Sequence, residues 1–161
     1  MNPEFESITR GILNLVDEWE SKLLKLPADV ITKRRNSQNR TIKQILGHMI
    51  DSASNNTHRM VHLQYQESPL QFPNYASQGN NDRWIAIQNY QEEDWNIMVN
   101  LWKFSNMHIV HIIKQVNPSK LTNQWNSGEK LISLEDGITG YLTHLKLHLD
   151  EIDDLIKSNN T

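Results

Sequence analysis

Apolar side chains along this chain recur at steps of three and four residues, the spacing that gathers them on one face of an α-helix. The first such stretch runs from about Phe5 to Leu26, with Ile8, Ile12, Leu15, Trp19, Leu23 and Leu26 on one stripe; Pro3 lies near its start and Pro27 ends it. A second runs from about Thr41 to Gln66, and Ile42, Ile45, Leu46, Met49, Ala53, Met60 and Leu63 form its apolar face. A third spans Arg83 to Val116 with a break near Tyr90-Gln91, draws core mass from Trp95, Val99, Trp102, Ile109, Ile112 and Ile113, and stops at Asn117-Pro118. The fourth carries Leu134, Ile138, Tyr141, Leu142, Leu145, Leu149, Ile152, Leu155 and Ile156. Ser133-Leu134-Glu135-Asp136 opens it: Ser133 can cap the free amides of the first turn, and the acid three residues on makes a capping box.

The connections complete the architecture. Ser68 to Asp82 holds two prolines and a glycine, reads as non-helical, and is long enough to cross from one end of a bundle to the other. A polar, basic connection containing Lys33-Arg34-Arg35 joins the first two helices, and Ser119 to Ile132 joins the last two. The Lys33–Arg35 cluster is either a phosphate contact or, more simply, a solvated face. Strand signals are weak throughout. The predicted fold is all-α: one domain over residues 1–161, a four-helix bundle with a long crossover between helices 2 and 3.

Composition narrows the function classes. At 161 residues the chain buries a core without disulfides or a metal staple, and it has no cysteine, which excludes disulfide scaffolds, Cys-ligated metals and a thiol nucleophile of its own. Charged residues make up 22% and the net charge is −3, so the Lys/Arg excess that nucleic-acid binding requires is missing. The start, Met-Asn-Pro-Glu-Phe-Glu-Ser, lacks the basic residues and apolar run of a secretory signal. No stretch approaches the ~18 uncharged apolar residues of a membrane span. The expectation is a cytoplasmic protein with neither nucleic-acid nor membrane partners.

Seven histidines are the candidate chemistry. His144 and His148 are four apart, as are His58 and His62, and His108 and His111 are three apart; each pair stands on one helix face and could share a metal ion. Spacing alone does not choose among them. His148 falls inside the apolar stripe of the fourth helix and His144 at its edge, while His48 lies on the margin of the second helix's stripe, near Ser52 and Arg59. His62 shares that flank but sits fourteen residues on, about 21 Å along a straight helix, too far to join His48 in a mononuclear site. Asp51, one turn from His48, is a candidate base or orienting group, and Arg59 a candidate anion contact.

Two segments carry a family resemblance. Thr41-Ile-Lys-Gln-Ile-Leu-Gly-His48-Met-Ile-Asp-Ser52 resembles the second-helix signature of the DinB-like (YfiT-like) superfamily of four-helix bundles, apolar-x-x-apolar-Leu-x-His-apolar-x-Asp. Gly140-Tyr-Leu-Thr-His144-Leu-Lys-Leu-His148-Leu-Asp-Glu-Ile152 is similar to its fourth-helix His-x-x-x-His. Asn80-Asn-Asp-Arg-Trp84 and the Trp-rich third helix fit the same pattern, so the resemblance covers nearly the whole chain in order and spacing.

The resemblance implies a metal triad of His48, His144 and His148, with His58, His62, His108 and His111 outside it. Three protein ligands with positions left for water is the pattern of catalytic zinc, and imidazole suits nickel, iron and copper as well. It further implies a metal-dependent enzyme acting on a small-molecule substrate, either a hydrolase or a transferase whose sulfur comes from a low-molecular-weight thiol. The alternative is a non-catalytic, stress-associated metal-binding or interaction protein. A homodimer is expected from the habit of the family and from Trp84, Trp95, Trp102 and Trp125, a large aromatic load for one thin bundle.

Overall fold

A computed structural model describes residues 3–158. Four long helices form the bundle: α1 (Pro3–Leu24), α3 (Ile42–His62), α5 (Trp95–Gln115) and α6 (Leu134–Lys157). Between them lie two short helices, α2 (Ala28–Lys33) and α4 (Asn80–Gln88), and three strands, β1 (Leu70–Gln71), β2 (Gln124–Asn126) and β3 (Leu131–Ser133). No helix among the described residues is long and apolar enough to cross a membrane.

The helices start where their side chains can satisfy the free amides of a first turn. Thr41 and Gln44 form a reciprocal capping box on α3, and Ser133 and Asp136 form the expected one on α6. Asp94 caps α5 by accepting from the Ile97 amide. The stripes then meet in a single core, in which Ile12, Leu23, Ile45, Leu46, Trp102, Ile109, Ile138 and Leu149 are almost wholly removed from solvent.

Cross-links at the helix ends give the directions. Trp95, opening α5, donates its Nε1–H to the Leu23 carbonyl near the end of α1, so those two helices are antiparallel. Lys43, at the start of α3, reaches the Gln91 carbonyl just ahead of α5, and beyond the far ends Gln64 Oε1 accepts from the Asn117 amide; α3 and α5 are therefore parallel. Helix α6 returns antiparallel to both: Asn123 binds the Leu63 carbonyl and, through its own carbonyl, the Leu134 amide. The order is up-down-down-up. Each of α1 and α3 packs against α5 and α6, so α1 and α3 stand diagonally across the bundle and α3 and α6 are direct neighbours. Parallel neighbours need a connection that travels the length of the bundle, and residues 63–94 supply it as the expected crossover.

Three details depart from the sequence expectation. A short helix, α2, occupies part of the first connection, and α4 begins at Asn80, inside the stretch read as non-helical; the break expected near Tyr90-Gln91 is present and separates α4 from α5. Asn89 ends α4 in the left-handed region at φ 48°, which asparagine tolerates better than most residues, and a 3₁₀ turn over Tyr90–Glu92 follows. The turn brings the Tyr90 ring against Gly47, where a Cβ would stand 2.2 Å from a ring carbon, so only glycine admits this approach. Finally, β1 pairs in parallel with β2 (Leu70 with Trp125) and β2 antiparallel with β3, stitching the crossover to the α5–α6 connection. Strands of two or three residues are too short for alternation to register in a sequence.

The basic cluster is structural in part. Arg34 donates to the Leu155 and Ile156 carbonyls at the end of α6, both at 2.7 Å, where a cation meets the negative end of the helix. Of the tryptophans counted toward a second copy, Trp102 and Trp125 are buried and Trp95 is half-buried against Leu23, while Trp84 is exposed.

Candidate metal centre

His48 lies in the second turn of α3 and His144 and His148 one turn apart in α6, on the faces by which these neighbouring helices meet. His48 and His148 are buried and His144 is half-buried. The Nε2 atoms of His48 and His148 are 3.1 Å apart, as are those of His148 and His144, and one ligand atom from each ring falls within 4.8 Å of the others. Two nitrogens on one tetrahedral ion, each at about 2.0–2.1 Å, stand ~3.3 Å apart, so the observed separations suit a shared cation. His58 with His62 and His108 with His111 pair only side by side, and neither pair gains a third ligand among the described residues.

The far nitrogens decide what the near ones can do. Tyr75 Oη stands 2.8 Å from His48 Nδ1 and 3.2 Å from the His48 carbonyl. The hydroxyl donates to the carbonyl and accepts from Nδ1–H, which leaves a lone pair on Nε2. Glu151, one turn beyond His148, places Oε2 at 3.1 Å from its Nδ1 and acts the same way. Carboxylate and hydroxyl partners behind a ligating imidazole fix its tautomer and orientation. Burial, with the neighbouring imidazoles next, pushes His48 down to about 3 and His144 down to about 4, so both are neutral near pH 7. Neutral rings aiming lone pairs at one point repel one another unless a cation takes them up. This donor set fits a divalent ion.

Asp51 belongs to another part of the molecule. Three residues past His48, its side chain is turned about 60° around the helix axis, toward α4. Its Oδ1 accepts from Tyr90 Oη at 2.6 Å and Gln88 Nε2 at 2.8 Å, while Oδ2 is buried without a partner. Burial raises its pKa against the pull of those two bonds. Asp51 neither touches nor orients the triad.

Beside the triad is a cavity of about 320 Å³ between α3, α6 and the small sheet, near the lower end of small-molecule sites. His48 and His144 form one end; Met60, Leu63, Trp125, Ile132, Leu134 and Tyr141 supply apolar wall, and Ser52, Asn56 and Arg59 line it with polar groups. Sequence reasoning missed Tyr75 and Glu151. Glu151 could have been found from its three-residue step after His148. Tyr75 lies in the aperiodic crossover, where nothing in the sequence marks which way it faces.

No family model matches the chain, and no curated protein does. Among solved structures, YfiT from Bacillus subtilis, described as a probable metal-dependent hydrolase with an unusual four-helix bundle topology, superposes with a TM-score of 0.82. The match covers 96% of this chain and 87% of that one at 13% sequence identity. The chain therefore has the YfiT-like four-helix-bundle fold.

Proposed function

We propose that this protein is a metal-dependent hydrolase of small molecules, with His48, His144 and His148 holding one divalent ion. The observation that carries the reading is the convergence of three imidazole Nε2 atoms beside an open cavity, two of the rings held from behind by Tyr75 and Glu151. YfiT, described as a probable metal-dependent hydrolase, supports it as a structural neighbour. Three imidazoles with positions left open is the donor pattern of catalytic zinc, and the same nitrogens suit nickel or iron. When bound, such an ion supplies Lewis acidity toward a nucleophile and a polarised carbonyl or phosphoryl oxygen.

The chain's own residues do the rest. His48 and His144 stay unprotonated at neutral pH and so remain available as ligands. Tyr75 and Glu151 hold ring protons on Nδ1, on the far side of each ring from Nε2. The apolar wall would exclude water from the apolar part of a bound substrate, with its reacting group at the triad end. Asp136 is the cavity's carboxylate among the described residues, and its Oδ2 accepts from the Ser133 amide and hydroxyl in the α6 cap.

The test is elemental analysis of untagged protein, followed by calorimetric metal titration of His48→Ala, His144→Ala and His148→Ala beside His62→Ala. A single site lost in the first three and kept in the fourth is expected; undiminished binding in His48→Ala would end the proposal. Zinc-, nickel- and iron-loaded protein is then screened against esters and amides, and against electrophiles with a small thiol as cosubstrate. Thiol transfer without hydrolysis would replace hydrolase by S-transferase.

A further inference from the structure

Arg59 enters the cavity from α3, three turns beyond His48, and no carboxylate meets it among the described residues. The guanidinium donates to Asn56 Oδ1 at 2.7 Å and lies over the Trp125 ring, 4.1 Å from its centroid. Asn56 is held in turn by Ser52, donating to its carbonyl at 2.8 Å and its Oγ at 3.3 Å. The cation is thus clamped from two sides, and its other N–H groups have no protein acceptor among the described residues. A guanidinium has five such donors in a planar fork that matches a carboxylate. Burial lowers its pKa only to about 10, so it is charged at neutral pH.

Two neighbours bear on the charge. Asp136 also lines the cavity, but it is exposed and its carboxylate is committed to the Ser133 cap; Lys130, exposed at the rim, carries the opposite sign. On α6, two glycines interrupt the side chains of Leu134, Tyr141 and His144 along the cavity wall. Gly137 and Gly140 both line the cavity, and a Cβ built on either meets no atom within 4 Å. Glycine inside a helix costs ~1 kcal/mol relative to alanine, and here that cost keeps space open where a side chain would stand.

Side chains on a helix lean toward its N-terminus, and the bond to Asn56 places the guanidinium one turn back from its own Cα, toward His48. Along α3 the two ends of the cavity are then on the order of 10 Å apart, at 1.5 Å per residue. We infer that Arg59 is the anion-binding end of this cavity, and that the substrate is an amphipathic monoanion, a carboxylate whose apolar stem of medium length spans from Arg59 to the histidines. A single clamped guanidinium suits one negative charge better than two. This assignment rests on the triad as the reacting end, whereas the anion contact itself does not require a metal.

The probes are half-hydroxamates of succinate, suberate and dodecanedioate, with the hydroxamate for the ion and the carboxylate for Arg59, each compared with its ω-amide. Binding to cobalt-loaded protein is followed by the absorption spectrum of the ion. Suberate should bind best of the acids and about tenfold or more tighter than its amide, as expected for a charge-assisted pair. Arg59→Gln should abolish the acid preference with the metal stoichiometry unchanged, Arg59→Lys should keep part of it, and Gly140→Leu should weaken acid and amide alike. Equal binding of acid and amide to the wild type, or a preference that survives Arg59→Gln in folded protein, overturns the inference. Octanoate against octanamide, titrated into metal-free protein by calorimetry, separates the two failures. An Arg59-dependent preference there, with no gain from the hydroxamate in the loaded protein, refutes the metal reading and leaves the anion site standing.

Discussion

Replacing Tyr75 by Phe removes one hydroxyl and keeps the ring, which stacks on His48 at a centroid distance of 5.8 Å and meets Trp84 edge-on at 5.4 Å. The loss is therefore confined to the two hydrogen bonds of Oη. The His48 carbonyl, 3.2 Å away, lies within α3 and keeps its place in the helical ladder, so its share is small. Nδ1 is the costly partner: it is buried, and a donor left unpaired inside a protein costs about 1–3 kcal/mol. A total near 2 kcal/mol corresponds to a Tm lower by about 4–8 °C in a domain of this length. The imidazole can escape the penalty by moving its proton to Nε2, but that tautomer cannot ligate. Metal affinity should consequently fall by about 10–100-fold, the usual cost of removing a partner behind a ligating histidine. The assay is competition for zinc against a chromophoric chelator, beside thermal unfolding of the metal-free protein. Wild-type affinity in Tyr75→Phe would show that Tyr75 does not set the tautomer and that the site is not preformed by it.

Three further outcomes are expected. Gly47→Ala drives a Cβ into the Tyr90 ring and should destabilise by about 1–3 kcal/mol, read as a lower urea midpoint with an unchanged slope. Asp51 has a raised folded pKa, so its contribution is most favourable when both states are protonated and is lost as pH rises through that folded value; Asp51→Asn should gain on the wild type at neutral pH, and the gap should close in acid. His48 and His144 act in the opposite sense. With folded values of about 3 and about 4, they make the unfolded chain take up protons first as pH drops below 6.5, so metal-free protein should lose stability there, and the double alanine variant should show a shallower pH slope.

Much of this molecule is legible in the sequence because its signals are local. Helical period, the Ser133–Asp136 cap and the four-residue step from His144 to His148 need only neighbouring residues to be read. Joining His48 to that pair required the family resemblance, since no local rule links residues a hundred positions apart. What stayed hidden depends on tertiary placement. Asp51 and His48 are one turn apart, yet the residual 60° of rotation sends one to Tyr90 and the other to His148. Tyr75 comes from an aperiodic crossover, and Arg59 acquires its setting only when the β2 strand delivers Trp125.

The up-down-down-up order also sets a sequence of events. His48 and His148 are separated by 100 positions, and their helices pack together only after the crossover, α5 and the α5–α6 connection have been made. On the ribosome, α1, α3 and α5 emerge first and could assemble three sides of the bundle, with an apolar seam awaiting α6. A nascent chain at that stage holds one histidine of the triad and can discriminate no metal. If the triad holds an ion as proposed, capture can come only at the end of assembly, with the helix that completes the core.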